Sequence, residues 1–303
     1  MNAQPPVRAP RPSGSSSLPS RIFTLSDILS KSKPQAKRIG LYAKGGFGKT
    51  SIGAYFPKPI FLMTRGETGL LTLIDAGQLP ETPYLPELKD WADLDAALDL
   101  LLSSAHEYRT LCLDTVNGAE RLCHEHTCHV EFSDEWGEGG FEGYKRGYEV
   151  ALAPWRLFLN KLDRLREEKS MTILLLMHGR TKGFKNPVGA DYDKWVPELN
   201  DRTWAVVKGW LDATMFGDYE VVVSDAKGGV AKPGKKGKAA QMSTRMLYTS
   251  AENPVYDVKN RYGLPDEIEM GDSPVEAFRN LSAAFAEAKK KIDTKPEIAK
   301  EAN

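Results

Sequence analysis

Cysteine is scarce in this chain, with three thiols (Cys112, Cys123 and Cys128) among 303 residues. That excludes the disulfide-stapled secreted scaffolds and fits a reducing cytoplasm. Long hydrophobic runs are missing as well, since no apolar stretch approaches the roughly 18 residues that a membrane span needs. The N-terminal residues are rich in Pro and Ser and lack the apolar core of a signal peptide, so a cytoplasmic location is expected. Net charge is also absent, with 41 basic side chains against 41 acidic ones. A uniformly basic protein is excluded, and contact with a polyanion has to come from local patches.

What is present describes an ordinary globular protein, with 41% hydrophobic and 27% charged residues. The stretch that organises it is Ala43-Lys44-Gly45-Gly46-Phe47-Gly48-Lys49-Thr50-Ser51. It follows an apolar run, Ile39 to Tyr42, and precedes a segment, Ile52 to Phe56, able to open a helix. Strand, glycine loop, lysine, hydroxyl and helix form the pattern of a phosphate-binding P-loop. Gly45, Gly46 and Gly48 let backbone N–H groups turn toward an anion, and the helix N-terminus adds partial positive charge. Lys49 is then placed for β/γ-phosphates and Thr50 for Mg²⁺. Ala43 stands where the template has glycine, which is tolerable if its φ stays negative. A flexible surface loop with a chance Gly-Lys-Thr is the alternative.

Further candidates fall at the ends of apolar strands, the edge where α/β sheets bind ligands. Ile60 to Thr64 reads as a strand leading to Glu67, which is either a base for an attacking water or a plain loop glutamate. Thr110 to Thr115 ends in Asp114, placed to help hold Mg²⁺. Met171 to Met177 is the most apolar strand, as expected at the centre of a parallel sheet, and it delivers His178. His178 is either a γ-phosphate sensor or a satisfied core histidine.

The rest of the chain divides into 1–35, a basic Pro/Ser-rich arm with one helical turn near Leu25 to Leu29, then a core over 36–270, then a helix and charged tail over 271–303. The arm with Arg38 holds seven basic residues and one acid, Asp27. An amphipathic helix is expected near Asp93 to Ser103. Cys123, His124, His126, Cys128 and His129 crowd one helix, which can offer a metal only an i, i+4 pair; buried thiols with surface imidazoles are the better reading. The loop over 138–148 carries glycines, aromatics, Lys145 and Arg146, a composition suited to stacking bases or to forming a turn. A helix follows with Tyr148, Leu152, Trp155, Leu159 and Leu162 on its core face, started or kinked at Pro154. Antiparallel hairpins are expected from Asp212, over Thr214 to Ser224 and Thr244 to Thr249. Lys232, Lys235, Lys236 and Lys238 lie between them in a loop able to meet a phosphate backbone or to stay solvated. Ser273-Pro274-Val275-Glu276 is a capping box with proline in the first turn.

The set AKGGFGKT, RGETGL, LCLDT, YKRGY, LLLMHGR and VKNRYGLP resembles the phage-type RecA-like P-loop ATPases, the single-strand annealing and recombination proteins of bacteriophages. The resemblance implies an α/β fold with a RecA-like core: a mostly parallel sheet flanked by helices, with antiparallel hairpins toward the C-terminus. It implies ATP and Mg²⁺ as ligands, ATP hydrolysis, and rings or filaments on single-stranded DNA in a bacterial host cell, where a single-strand-binding protein is a partner. By position, Lys49 and Thr50 match the P-loop pair, Glu67 the catalytic glutamate, Asp114 the Mg²⁺ aspartate and His178 the γ-phosphate sensor. Lys259 and Arg261 resemble the cations that a neighbouring subunit inserts toward ATP. A P-loop ATPase acting on protein partners, such as a helicase loader or assembly switch, is the alternative.

Overall fold

Strands buried at consecutive positions, rather than at alternate ones, are covered on both faces. The stretch 173–177 is buried throughout, and four strands run parallel to the P-loop strand. The computed structural model describes residues 24–28, 35–224 and 238–293. Residues 1–34 form a unit of their own, in which a 3-10 turn, Leu25–Asp27, is described. There the Thr24 amide and hydroxyl both donate to the Asp27 carboxylate, at 2.8 and 2.9 Å.

The unit from Gln35 onward is a layered α/β structure. Its first half runs β1 (Arg38–Ala43), α1 (Lys49–Ala54), β2 (Pro59–Met63), α2 (Gly69–Asp75), α3 (Trp91–Ser103), β3 (Thr110–Asp114) and α4 (Val116–Phe132). Then come α5 (Arg146–Val150), α6 (Leu152–Glu168), β4 (Thr172–Phe184), β5 (Tyr192–Pro197), α7 (Asp201–Trp210) and β6 (Ala213–Ser224). β7 (Lys238–Tyr248), β8 (Lys259–Asn260), β9 (Glu267–Glu269) and α8 (Pro274–Asp293) close it. Strand order is β2-β3-β4-β1-β6-β7-β9, with β5 paired to β4 and β8 to β6. Strands β2, β3, β4, β1 and β6 are mutually parallel, and β7 and β9 add antiparallel.

The pleat sends alternate residues of each strand to opposite faces. Leu111, Leu113, Ile173 and Leu175 pack under α3, α4, α6 and α7 in one core cluster. Cys112, Leu174, Leu176 and Met215 pack with α1, α2 and α8 in the other. On α8, Ala277, Leu281, Ala284 and Ala288 are buried against this second face, and Phe278 meets Phe56 with ring centroids 5.0 Å apart. Pro154 falls in the first turn of α6, where its missing N–H costs no hydrogen bond.

Three elements differ from the sequence expectation. β4 does not stop at Met177 but runs on to Phe184, leaving the parallel sheet to form an antiparallel hairpin with β5. The first half of β6 pairs in parallel with β1, so only its second half belongs to a hairpin with β7. Over 138–148 the chain is partly packed rather than a free loop: Phe141 is fully buried with Cys128 and Phe132. Lys232, Lys235 and Lys236 lie outside the described residues, and Lys238 opens β7.

Candidate active site

β1 ends at Ala43, which is buried and pairs with His178 of β4, so the P-loop leaves the sheet directly beside His178. Gly46 (φ +77°) and Gly48 (φ +102°) take left-handed backbone that only glycine adopts cheaply. Gly45 does not share that need, and Ala43 keeps negative φ, which is why alanine is accepted there. Phe47 turns inward rather than toward a ligand, filling the space over Gly217, where a Cβ would meet its ring at 2.4 Å. Lys44 pairs with Asp218 at 2.8 Å and lies 4.6 Å over the Trp195 ring; Tyr219 donates to Gly46 O at 3.3 Å. These contacts tie the outer side of the loop to β5 and β6.

The reactive-looking side chains converge on the C-terminal edge of the parallel strands. The Lys49 ammonium donates to Ala43 O and Lys44 O, both at 3.2 Å, curled onto its own loop. Burial lowers its pKa, against the neighbouring charges of Asp114 and Glu67. The Thr50 hydroxyl donates to Asp114 Oδ2 at 2.7 Å. Burial raises the Asp114 carboxyl and outweighs the hydrogen bond from Thr50. Glu67 Oε1 accepts from the Thr115 hydroxyl at 3.1 Å and lies 3.4 Å from His178 Nε2. His178 holds the Glu67 pKa below the usual carboxylate range, with Thr115 and Lys49 adding to the effect. Glu67 is therefore ionised at neutral pH, the state a base requires.

Residues without a strong sequence signal hold this set together. Thr64 receives a hydrogen bond from Thr115 N at 3.1 Å, joining the turns that carry Glu67 and Asp114. Thr115 caps α4 by accepting from Gly118 N at 3.2 Å, and Gly118 is obligatory, because a Cβ there would lie 1.9 Å from Thr64 Oγ1. A threonine three residues before a helix glycine could have been read as an N-cap. Asn117 accepts from His178 N at 2.8 Å and donates to Glu198 O, while Glu198 N donates to His178 O. Its partners lie far along the chain, so no local pattern announces it.

The remaining predicted residues lie elsewhere. Lys259 and Arg261 sit at the opposite edge of the sheet, level with the start of β6. There the Lys259 ammonium donates to Lys208 O and Gly209 O, and Arg261 pairs with Asp212 at 3.4 Å. Lys145 and Arg146 are exposed, with Arg146 over the Phe132 ring at 5.0 Å. Ser51 is buried in α1. In α4, His124 lies between Phe141 and Tyr148, and burial lowers its pKa to about 4; His129 pairs with Asp134. Among the described residues no group of three or more His, Cys, Asp or Glu is placed to hold a metal by itself.

A glycine cradle, a buried lysine, a hydroxyl–carboxylate pair and an ionised glutamate on one sheet edge define a P-loop ATPase site. The chain matches the family model described as an AAA domain over residues 35–262, and it belongs to that family. No curated protein matches it. The family implies nucleotide and, as a rule, Mg²⁺; the hard oxygens of Thr50 and Asp114 fit that ion's preference. No described helix is long and apolar enough to cross a membrane.

Proposed function

We propose that the chain hydrolyses ATP as a RecA-like recombination protein acting on single-stranded DNA, in annealing or strand pairing. The observation that carries the catalytic part is the convergence of Thr50 on Asp114 and of Glu67 on Thr115 and His178 beside the P-loop. In this reading the Gly46–Thr50 backbone cradles the phosphates, and Lys49 exchanges its loop carbonyls for β/γ-phosphate oxygens. Thr50 and Asp114 would hold Mg²⁺, which when bound would supply neutralising charge to the phosphates. Glu67 orients a water and takes its proton as the water oxygen bonds to the γ-phosphorus and the bond to the bridging oxygen breaks. His178, anchored by Asn117, faces the γ-phosphate as ADP leaves it and passes its presence into the β4–β5 hairpin. Lys259 and Arg261 reach a γ-phosphate only from a neighbouring copy, which is the reason for proposing a homo-oligomer.

The DNA part is supported by the order of the motifs and by Tyr144, which is 105% exposed beside Lys145 and Arg146. Bacteriophage origin, a bacterial host cell and a single-strand-binding partner rest on the resemblance alone. One observation favours the second reading, an ATPase directed at protein. Residues 131–149 hold six acids (Glu131, Asp134, Glu135, Glu138, Glu142, Glu149) against two bases (Lys145, Arg146), a balance that repels a phosphate backbone. ATP turnover with and without single-stranded DNA separates the two. Stimulation by the strand is expected, and turnover indifferent to it transfers the assignment to protein partners.

A further inference from the structure

A cavity of about 350 Å³ lies between the β4–β5 hairpin and α7, and none of the P-loop residues line it. It sits at the small end of the range for ligand pockets, roughly 300–1,000 Å³. Phe184 from the hairpin and Trp204 from α7 both line it, with Pro197 and Leu199. Phe184 is 42% exposed, its ring 5.1 Å from that of Tyr192 and 6.0 Å from the Lys194 ammonium. Three ammonium groups, of Lys182, Lys194 and Lys208, share the wall with two carboxylates, Asp201 and Asp257. Asp257 is fully engaged: Lys194 and Lys208 donate to Oδ1 at 3.0 and 2.5 Å, and Trp204 Nε1 to Oδ2 at 2.6 Å. Lys182 pairs with Asp201 at 2.5 Å, both exposed. One positive charge is left over.

We propose that this cavity takes one nucleotide unit, its base against Phe184 and the apolar wall and its phosphate on the lysines. Every base offers a flat apolar face to an aromatic ring, and its phosphate matches the excess cation. An apolar peptide side chain would leave the surplus positive charge unmatched, and a bare anion would leave Phe184 in water. The unit could come from a free mononucleotide or from one residue of a single strand. The strand source rests on the DNA reading above; the free-nucleotide source is independent of it. Because the hairpin pairing begins at Gly179, next to His178 on the same strand, a ligand here also braces the strand that carries that residue.

The test uses the full chain carrying Lys49→Ala, so that the P-loop no longer competes for nucleotide. Thymidine monophosphate is titrated by calorimetry and a fluorescein-labelled oligothymidylate by anisotropy. Binding of at least one probe is expected, weakened about 5- to 100-fold by Phe184→Ala and by Ala205→Trp, the loss of one stacked base. Lys182→Gln should weaken binding and flatten its salt dependence. Tighter binding of the oligomer than of the monomer assigns the strand as source; equal binding assigns the free nucleotide. Overturning results are no binding of either probe, or affinities untouched by Phe184→Ala and Ala205→Trp in chains whose melting temperature is unchanged. ATP turnover by the unsubstituted chain is a separate measurement, so failure here leaves the P-loop reading standing.

Discussion

The two edges of the parallel sheet use the same kinds of side chain to opposite ends. At the edge where the strands start, Arg38 meets Asp212 with two hydrogen bonds, at 2.9 and 3.1 Å, and Asp163 with a third at 3.3 Å. Trp210 Nε1 donates to Asp163 at 2.8 Å, and the Arg38 guanidinium lies 5.1 Å over the Trp210 ring. At the edge where the strands end, among the described residues Lys49 donates only to its own loop carbonyls and the Asp114 carboxylate accepts only from the Thr50 hydroxyl. The two aspartates show what this does. Burial pushes both carboxyls up, but Arg38, Arg166 and Arg261 reverse the effect at Asp212 and hold it low, whereas at Asp114 burial wins. Saturated charge holds the first edge together; unsaturated charge leaves the second with capacity for a ligand.

That contrast breaks most sharply at Arg261. If it serves a neighbour's γ-phosphate, Arg261→Ala should lower turnover by about 1,000-fold or more. Stability should move by less than about 1 kcal/mol, as for an exposed pair; turnover assays and thermal melts of the same preparation read both. Arg38→Ala sharpens it from the structural side. Asp212 then loses its two shortest hydrogen bonds while keeping Arg166 and Arg261, which should cost about 2 kcal/mol in denaturant unfolding, with turnover per folded molecule unchanged.

Asp114→Asn should act with the opposite sign. A carboxyl whose folded pKa is raised weakens the fold above that pKa, so removing its charge should stabilise the chain by about 1 kcal/mol at pH 7. Magnesium-dependent nucleotide binding should be lost in the same variant. For Asp212 the sign reverses, since its lowered pKa contributes stability above the ordinary carboxylate value and loses it as acid carries the pH through the folded one. The smallest effect concerns His178, the leading cause of Glu67's lowered pKa. His178→Gln should raise that pKa and move the acid limb of the turnover–pH profile upward, read from turnover between pH 4 and 7.

The strands, the P-loop and the final helix were legible because each is a local pattern. The apolar run Ile39 to Tyr42 lies within β1, one residue short at each end, and Ser273 and Glu276 form their capping box, with Glu276 N donating to Ser273 Oγ at 3.2 Å. The β4–β5 hairpin was not legible: the polar run after Met177 looks like a loop because the hairpin stands off the core, where no apolar alternation is demanded. Nor was the double pairing of β6, since a strand that is parallel on one side and antiparallel on the other has no distinct composition. In the site, Lys49, Thr50, Asp114 and Glu67 follow from motif and strand-end position. Thr64, Gly118 and Asn117 follow only from who their neighbours are, 50 to 81 residues away.

Binding of a non-hydrolysable ATP analogue with and without Mg²⁺, measured by calorimetry on the unsubstituted chain and on Lys49→Ala, tests the central claim most directly. The account predicts a magnesium-dependent binding component that disappears in Lys49→Ala. A chain that shows no such component, or that keeps it undiminished without the lysine, contradicts the account.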